Sequence, residues 1–282
     1  MRRSHLDRDL EAGVKIFSIL LLFFFILLGN AENEKLVISQ GPVQLTFNDA
    51  KLFNLQGLSS TALQNKNMIN DISISARPSK KNTIYEFQLP PSSILSNTIT
   101  RDAGTLRFEV SKRWPGFIAK RIVEFYENAK FFRIRYDIEF TQDALWEGIW
   151  FRISTKADTS FMLCGRNDGF SLIKANESDK DIWLGFECSP DKRCFAYYYE
   201  KLNGGFAVMC PDEKSWREIG KSFLCCRAKN GFSLELSKCQ KREVRTGETL
   251  SFDFFLMPLE GTIPDCEKAI QKTYQSFFPQ LP

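Results

Sequence analysis

Histidine is all but missing: the 282 residues hold one, His5, near the N-terminus. Ser-His-Asp and Cys-His relays need an imidazole to carry the proton, so a chain that sheds its first residues has neither. No C-x-x-C pair, H-E-x-x-H helix, G-x-S-x-G elbow or phosphate-cradling glycine loop occurs. The sequence therefore implies no metal and no cofactor. Charge of one sign is also scarce, with 38 basic against 34 acidic residues. A balance this even gives no argument for nucleic acid, and it tolerates an acidic polysaccharide without requiring one. Residues 1–163 contain no cysteine, and all eight lie between 164 and 266.

Long apolar runs are limited to one, Ile16 to Gly29, preceded by Arg2, Arg3, Arg8 and Lys15. Its 14 residues are short for a bilayer span and suit the core of a secretory signal. Gly29, Asn30 and Ala31 supply small residues at the cleavage-determining positions, so residues 1–31 read as a signal peptide and Glu32 as the mature start. The alternative is an uncleaved N-terminal anchor with the arginines held inside. The expected location is secreted, periplasmic or extracellular, with contact to a membrane only through an uncleaved segment. An even cysteine count in an exported chain reads as disulfides. Cys188 and Cys194 flank a Ser-Pro-Asp turn and are expected to staple a hairpin.

What the chain does have is period two. In "FFRIRYDIEF", Phe132, Ile134, Tyr136, Ile138 and Phe140 alternate with Arg133, Arg135, Asp137 and Glu139, the pattern of a half-buried antiparallel strand. "VQLTFND", "DISISAR", "IYEFQL", "TLRFEVS", "IWLGFEC", "FAYYYE", "GGFAVMC", "SFLCCR", "FSLELSK" and "LSFDFFLM" read as further strands, with Asn, Gly, Pro and Asp between them. Trp114-Pro115-Gly116 reads as a turn between two of them. The spacing predicts an all-β fold, a large antiparallel β-sandwich, as a single domain over residues 32–282. A short C-terminal helix is expected over about 264–278, from Cys266, Ile270, Tyr274 and Phe277 on one face, with Cys266 placed to pin it by a disulfide.

Two carboxylates suffice for glycoside hydrolysis, and Glu139, Glu147, Asp158, Glu187 and Glu200 are candidates by position alone. Tyr197, Tyr198 and Tyr199 would suit a tyrosine-based elimination, or simply a strand with aromatics on both faces. Tryptophan carries the stronger signal, because the apolar face of a sugar ring packs on an indole while nearby polar groups take its hydroxyls. In "ALWEGIWFRIS", strand alternation sets Trp146, Gly148, Trp150 and Arg152 on one face and Ile149, Phe151 and Ile153 on the other. Trp150 and Arg152 are the first candidates for glycan contact, followed by Trp146 and by Trp183, which falls opposite Ile182, Leu184 and Phe186.

"SKRWPGFIAKRIVEFYENAKFFRIRYDIEF", residues 111–140, resembles the central strands of the galactose mutarotase-like β-supersandwich, and "GETLSFDFFLMPLEG", residues 247–261, resembles its late strand and exit. The resemblance implies two large curved sheets with a concave carbohydrate-facing surface. It also implies a role in binding a polysaccharide or glycan, alone or beside a polysaccharide-degrading enzyme. Aldose epimerases of that fold use histidines, which residues 32–282 lack, so no catalytic residue is carried over. Three readings stand: an exported carbohydrate-binding protein, a polysaccharide lyase or glycoside hydrolase on the same fold, and a structural or adhesion module that binds a protein.

Overall fold

The computed structural model describes residues 36–40, 43–48, 54–102, 104–126, 129–156, 159–166, 169–174, 182–186, 194–210, 223–228, 231–237 and 241–276. Two antiparallel sheets face each other across an apolar core, as the alternation predicts. The first runs in the order β1 (Leu36–Gln40), β2 (Val43–Asn48), β3 (Asn54–Ser60), β4 (Ile69–Pro78), β10 (Ala144–Thr155), β17 (Gly231–Ser237), β16 (Phe223–Ala228) and β13 (Ile182–Phe186). Two short strands join it off this path: β5 (Ile84–Tyr85) on β4 and β18 (Arg242–Val244) on β10. The second runs β12 (Gly169–Lys174), β11 (Phe161–Arg166), β14 (Cys194–Tyr199), β15 (Gly204–Met209), β19 (Thr249–Glu260), β9 (Phe132–Phe140), β8 (Phe117–Tyr126), β7 (Thr105–Trp114) and β6 (Ile94–Asp102).

The alternating side chains sort as their chemistry requires. Phe132, Ile134, Tyr136, Ile138 and Phe140 of β9 are all buried. On the other face Arg133 pairs with Asp253 and Glu124, and Arg135 with Asp137. Trp114 and Phe117 close the β7–β8 hairpin in register, joined through Pro115 and a Gly116 whose φ of +100° favours glycine. β14 and β15 are buried on both faces, because the helix α1 (Ile263–Ser276) covers their outer side with Cys266 and Ile270. Tyr197 and Tyr199 therefore enter the inter-sheet core, and Tyr198 lies under the helix with its hydroxyl 3.0 Å from Asn203 Oδ1. The aromatic run is packing material and offers no open cleft for an elimination.

Of the two cysteine expectations, one changes and the other falls partly outside the described residues. β13 ends at Phe186 in the first sheet and β14 begins at Cys194 in the second, so these two strands do not form a hairpin. Cys188 itself lies outside the described residues, among which no disulfide occurs. Cys266 is a fully buried thiol that donates to the Gly261 carbonyl at 3.8 Å, so packing, not a cross-link, holds the helix down.

Candidate functional site

β4 and β10 are the central pair of the first sheet, and their register builds a polar, aromatic outward face. Trp150 lies opposite Ser75, Arg152 opposite Ser73 and Ser154 opposite Asp71, while Tyr85 of β5 lies opposite Ser75 from the far side. Directly opposed residues share a face of the sheet, so Trp150, Arg152, Asp71, Ser73, Ser75 and Tyr85 project together. Ile72, Ile74, Ala76, Ile149, Phe151 and Ile153 point the other way and are fully buried. The structure thus gives Trp150 and Arg152, the first two residues singled out from the sequence, the face that alternation assigned them.

Trp146 is different. Between Trp146 and Gly148 the pairing of β10 with β4 slips, because Trp146 opposes Pro78 while Gly148 opposes Arg77. This bulge leaves Glu147 as an extra residue and inverts the alternation. Trp146 therefore turns into the core, 1% exposed, with its ring 5.3 Å from Phe117 and 6.2 Å from Phe140. It does not share the Trp150 face. Trp183 lies on β13, the far edge of the same sheet, with β17 and β16 between it and β10. The four tryptophan and arginine candidates do not make one site. Of the acidic candidates, Glu139 and Glu200 are exposed on separate elements, and Glu147 occupies the bulge and accepts from Ser79 Oγ at 3.3 Å. Asp158 and Glu187 lie outside the described residues.

Gly148 decides how Trp150 lies. A Cβ at Gly148 would fall 2.1 Å from Trp150 Cζ2 and 2.6 Å from Cε2, so the indole rests on the bare backbone of the glycine. Only a residue without a side chain leaves room for that ring. Trp150 is half-buried in this pose, one side against the sheet. Arg152 extends toward β5, its guanidinium carbon 5.8 Å from the Tyr85 ring centroid, and Tyr85 in turn stacks on Phe87 with centroids 5.3 Å apart and planes at 17°. Arg152 also pairs in register with Glu235 of β17.

Asp71 supplies a proton-carrying group. Burial lifts its carboxyl to about 6; the Ser73 hydroxyl, which donates to Oδ2, and the charges of Arg152 and Arg121 oppose the rise, and Glu86 adds to it. A carboxyl in this range changes charge near neutral pH, which is where acid–base groups of binding and catalytic sites are found.

The arm that carries Tyr85 and Phe87 is fixed from inside. The sequence reads "IYEFQL" as a strand, yet β5 stops at Tyr85 and residues Glu86–Gln88 turn into a single 3-10 turn. The edge of β4 explains this. β3 pairs with it at Ile72 and β5 at Ser75 and Ala76, and in the gap the Ile74 N–H donates to the Glu86 carboxylate at 3.2 Å. The same carboxylate accepts from Lys112 Nζ at 2.9 Å, Arg121 Nη1 at 3.0 Å and the Tyr136 hydroxyl at 3.1 Å. Burial works against ionisation of Glu86, but Lys112 and Arg121 overcome it and hold the carboxyl below its usual value. Asn54 takes a second Lys112 hydrogen bond at 2.9 Å. Sequence reasoning missed Asp71, Ser73, Tyr85, Glu86 and Phe87. The signal within reach was Glu86 itself, a carboxylate flanked by two aromatics in a segment otherwise legible as a strand.

No family model matches the chain, and no curated protein matches it. Solved structures do. The chain is similar to a TPR-domain containing protein from Parabacteroides distasonis, with a TM-score of 0.57 at 11% identity over 80% of this chain and 47% of that one. It is similar to a galactose mutarotase related enzyme from Lactobacillus acidophilus, with a TM-score of 0.51 at 8% identity, covering 82% of this chain and 99% of that one. It is also similar to a GH36 α-galactosidase from Geobacillus stearothermophilus, with a TM-score of 0.51 at 7% identity, covering 85% of this chain and 42% of that one. The chain spans about half the length of the first of these. At such identities the likeness is one of fold: the sandwich is galactose mutarotase-like, as the sequence resemblance implies.

Proposed function

We propose that this chain is an exported carbohydrate-binding protein that holds a glycan against the outward face of β4, β10 and β5. The observation that carries the reading is the Trp150 indole packed over Gly148, an aromatic surface with room left for it by the missing side chain. Arg152 beside it donates to sugar hydroxyls, and Asp71, Ser73 and Ser75 on the neighbouring strand add acceptors and donors along the same face. The fold neighbours lend support, since a mutarotase-related enzyme and an α-galactosidase both have sugar-directed names. A second reading, a lyase or hydrolase on the same fold, draws on one observation: a tyrosine, an arginine and an acid of raised pKa, Tyr85, Arg152 and Asp71, share this face.

The test is binding of the purified protein to a panel of neutral and acidic polysaccharides, with Trp150→Ala and Gly148→Ala run alongside. Gly148 lies in ordinary extended backbone, so alanine there leaves the strand intact and displaces the indole. Wild-type binding that weakens about tenfold in both variants, each still melting cooperatively within a few degrees of wild type, supports the platform. A folded wild type that binds no glycan sinks it and moves the protein-partner reading forward. Cleavage of a bound glycan, lost in Asp71→Asn, would favour the second reading.

A further inference from the structure

Trp150, Ser75 and Tyr85 stand on one rung of three adjacent strands. Two strand spacings separate the two aromatic residues, about 9.5 Å. Ser75 between them is 4% exposed and forms the floor. Tyr85 is itself packed by the Arg152 guanidinium and by Phe87, so the aromatic surface that remains open on that side is Phe87, 50% exposed. A single pyranose ring resting on Trp150 does not span to it.

Isolated exposed apolar side chains are ordinary on protein surfaces. Phe87 differs in how it is held. Its chain neighbour Glu86 is 3% exposed and bound by Lys112, Arg121, Tyr136 and the Ile74 amide. Tyr85, its ring partner, has its own N–H donating to Gln88 Oε1 at 3.1 Å. A half-exposed phenyl ring thus projects from a segment anchored in the core by a buried carboxylate. Rigid placement of an aromatic surface lowers the ordering cost of whatever packs on it.

We infer that the ligand is an oligosaccharide of three or more units, one ring on Trp150 and a later ring on Phe87, rather than a monosaccharide. This rests on the glycan reading of the same face and adds a second subsite to it. Ring-on-aromatic contacts of this kind correspond to about three- to tenfold in affinity.

The experiment measures dissociation constants of the full chain for two length series, galactose through stachyose and glucose through cellotetraose. Wild type, Phe87→Ala, Phe87→Tyr and Trp150→Ala are compared. Affinity rises about three- to tenfold between the monosaccharide and the tri- or tetrasaccharide of the series that binds. Phe87→Ala removes that increment and leaves monosaccharide affinity alone, Phe87→Tyr keeps it, and Trp150→Ala weakens every length. Length-independent wild-type affinity, or an increment that survives Phe87→Ala, overturns the second subsite while the Trp150 platform stands. No binding at any length in either series, from a protein that also binds no polysaccharide of the neutral and acidic panel, overturns both.

Discussion

Replacing Asp71 by asparagine should stabilise the protein at neutral pH, the reverse of what removing a charged residue next to an arginine ordinarily does. The carboxyl has an ordinary value of 3.8 and is raised to about 6 in the fold, chiefly by burial. The folded state therefore holds the proton more tightly than the unfolded chain, and ionisation works against folding. The penalty is absent below 3.8, grows between 3.8 and about 6, and is complete above that. The gap corresponds to about 3 kcal/mol at its ceiling. Asparagine keeps an oxygen for the Ser73 hydroxyl and carries no charge to desolvate. The attraction of Arg152 and Arg121 and the repulsion of Glu86 are already contained in that raised value, so they subtract nothing further. We expect Asp71→Asn to be more stable than wild type by about 1–3 kcal/mol at pH 7.5 and equal to it near pH 4. Urea denaturation at both pH values reads this directly. An Asp71→Asn protein that is less stable at pH 7.5, or that keeps the wild-type pH profile, refutes the assignment of a strained carboxylate to this face.

Trp146→Ala and Trp150→Ala should separate fold from site: the first empties an aromatic core position and costs about 3–5 kcal/mol, roughly 6–20 °C in a thermal melt, while the second costs about 1 kcal/mol. Equal destabilisation of the two would mean that the bulge at Glu147 does not set their faces. Glu86→Gln leaves Lys112 and Arg121 buried without their carboxylate and should cost about 3–5 kcal/mol at neutral pH. Because the Glu86 carboxyl lies below its ordinary 4.5, its contribution is present above that value and lost as pH falls through the folded one. The gap between wild type and Glu86→Gln should narrow in acid, and a gap that widens there would contradict the ion cluster.

How far the sequence could be read follows from what each strand touches. β9 is legible residue by residue, since one face meets the core and the other meets water and its partners' charges. β6 is illegible for the same physical reason: it is an edge strand exposed almost throughout, and "LSNTITRD" has no apolar period to betray it. Alternation counted from a fixed phase puts Trp146 on the wrong face, because a bulge resets the phase without a signature in residue type. Trp150 and Arg152 kept their face because both lie after the bulge. Asp71, Ser73 and Ser75 alternate with Ile72, Ile74 and Ala76 in plain view, but nothing in the sequence says that β4 lies next to β10, more than sixty residues on. The site is made by that long-range pairing. "IYEFQL" failed most usefully: its alternation is genuine, and it ends where Glu86 leaves the strand to fill the gap beside Ile74.

Three features of one small region each work against stability: a carboxyl held in a setting that disfavours its charge, an indole that requires a glycine within a strand, and a half-exposed phenylalanine on a 3-10 turn. The turn is anchored by a buried ion cluster that an apolar plug of similar volume would replace at equal or better stability. Each alone has a bland structural account. Asp71 could be tolerated, Gly148 could serve the adjoining bulge, and Phe87 could be one of the scattered apolar residues every surface has. The bland accounts are independent of one another, so they give no reason for the three to meet on the outward face of β4, β10 and β5. The proposed glycan-binding face gives one, because local rules of stability are broken together where a surface is shaped for something outside the fold. Rigid aromatic surfaces, a guanidinium laid beside them and a carboxyl that titrates near neutrality are what such a face needs to grip a ring with an apolar side and a rim of hydroxyls.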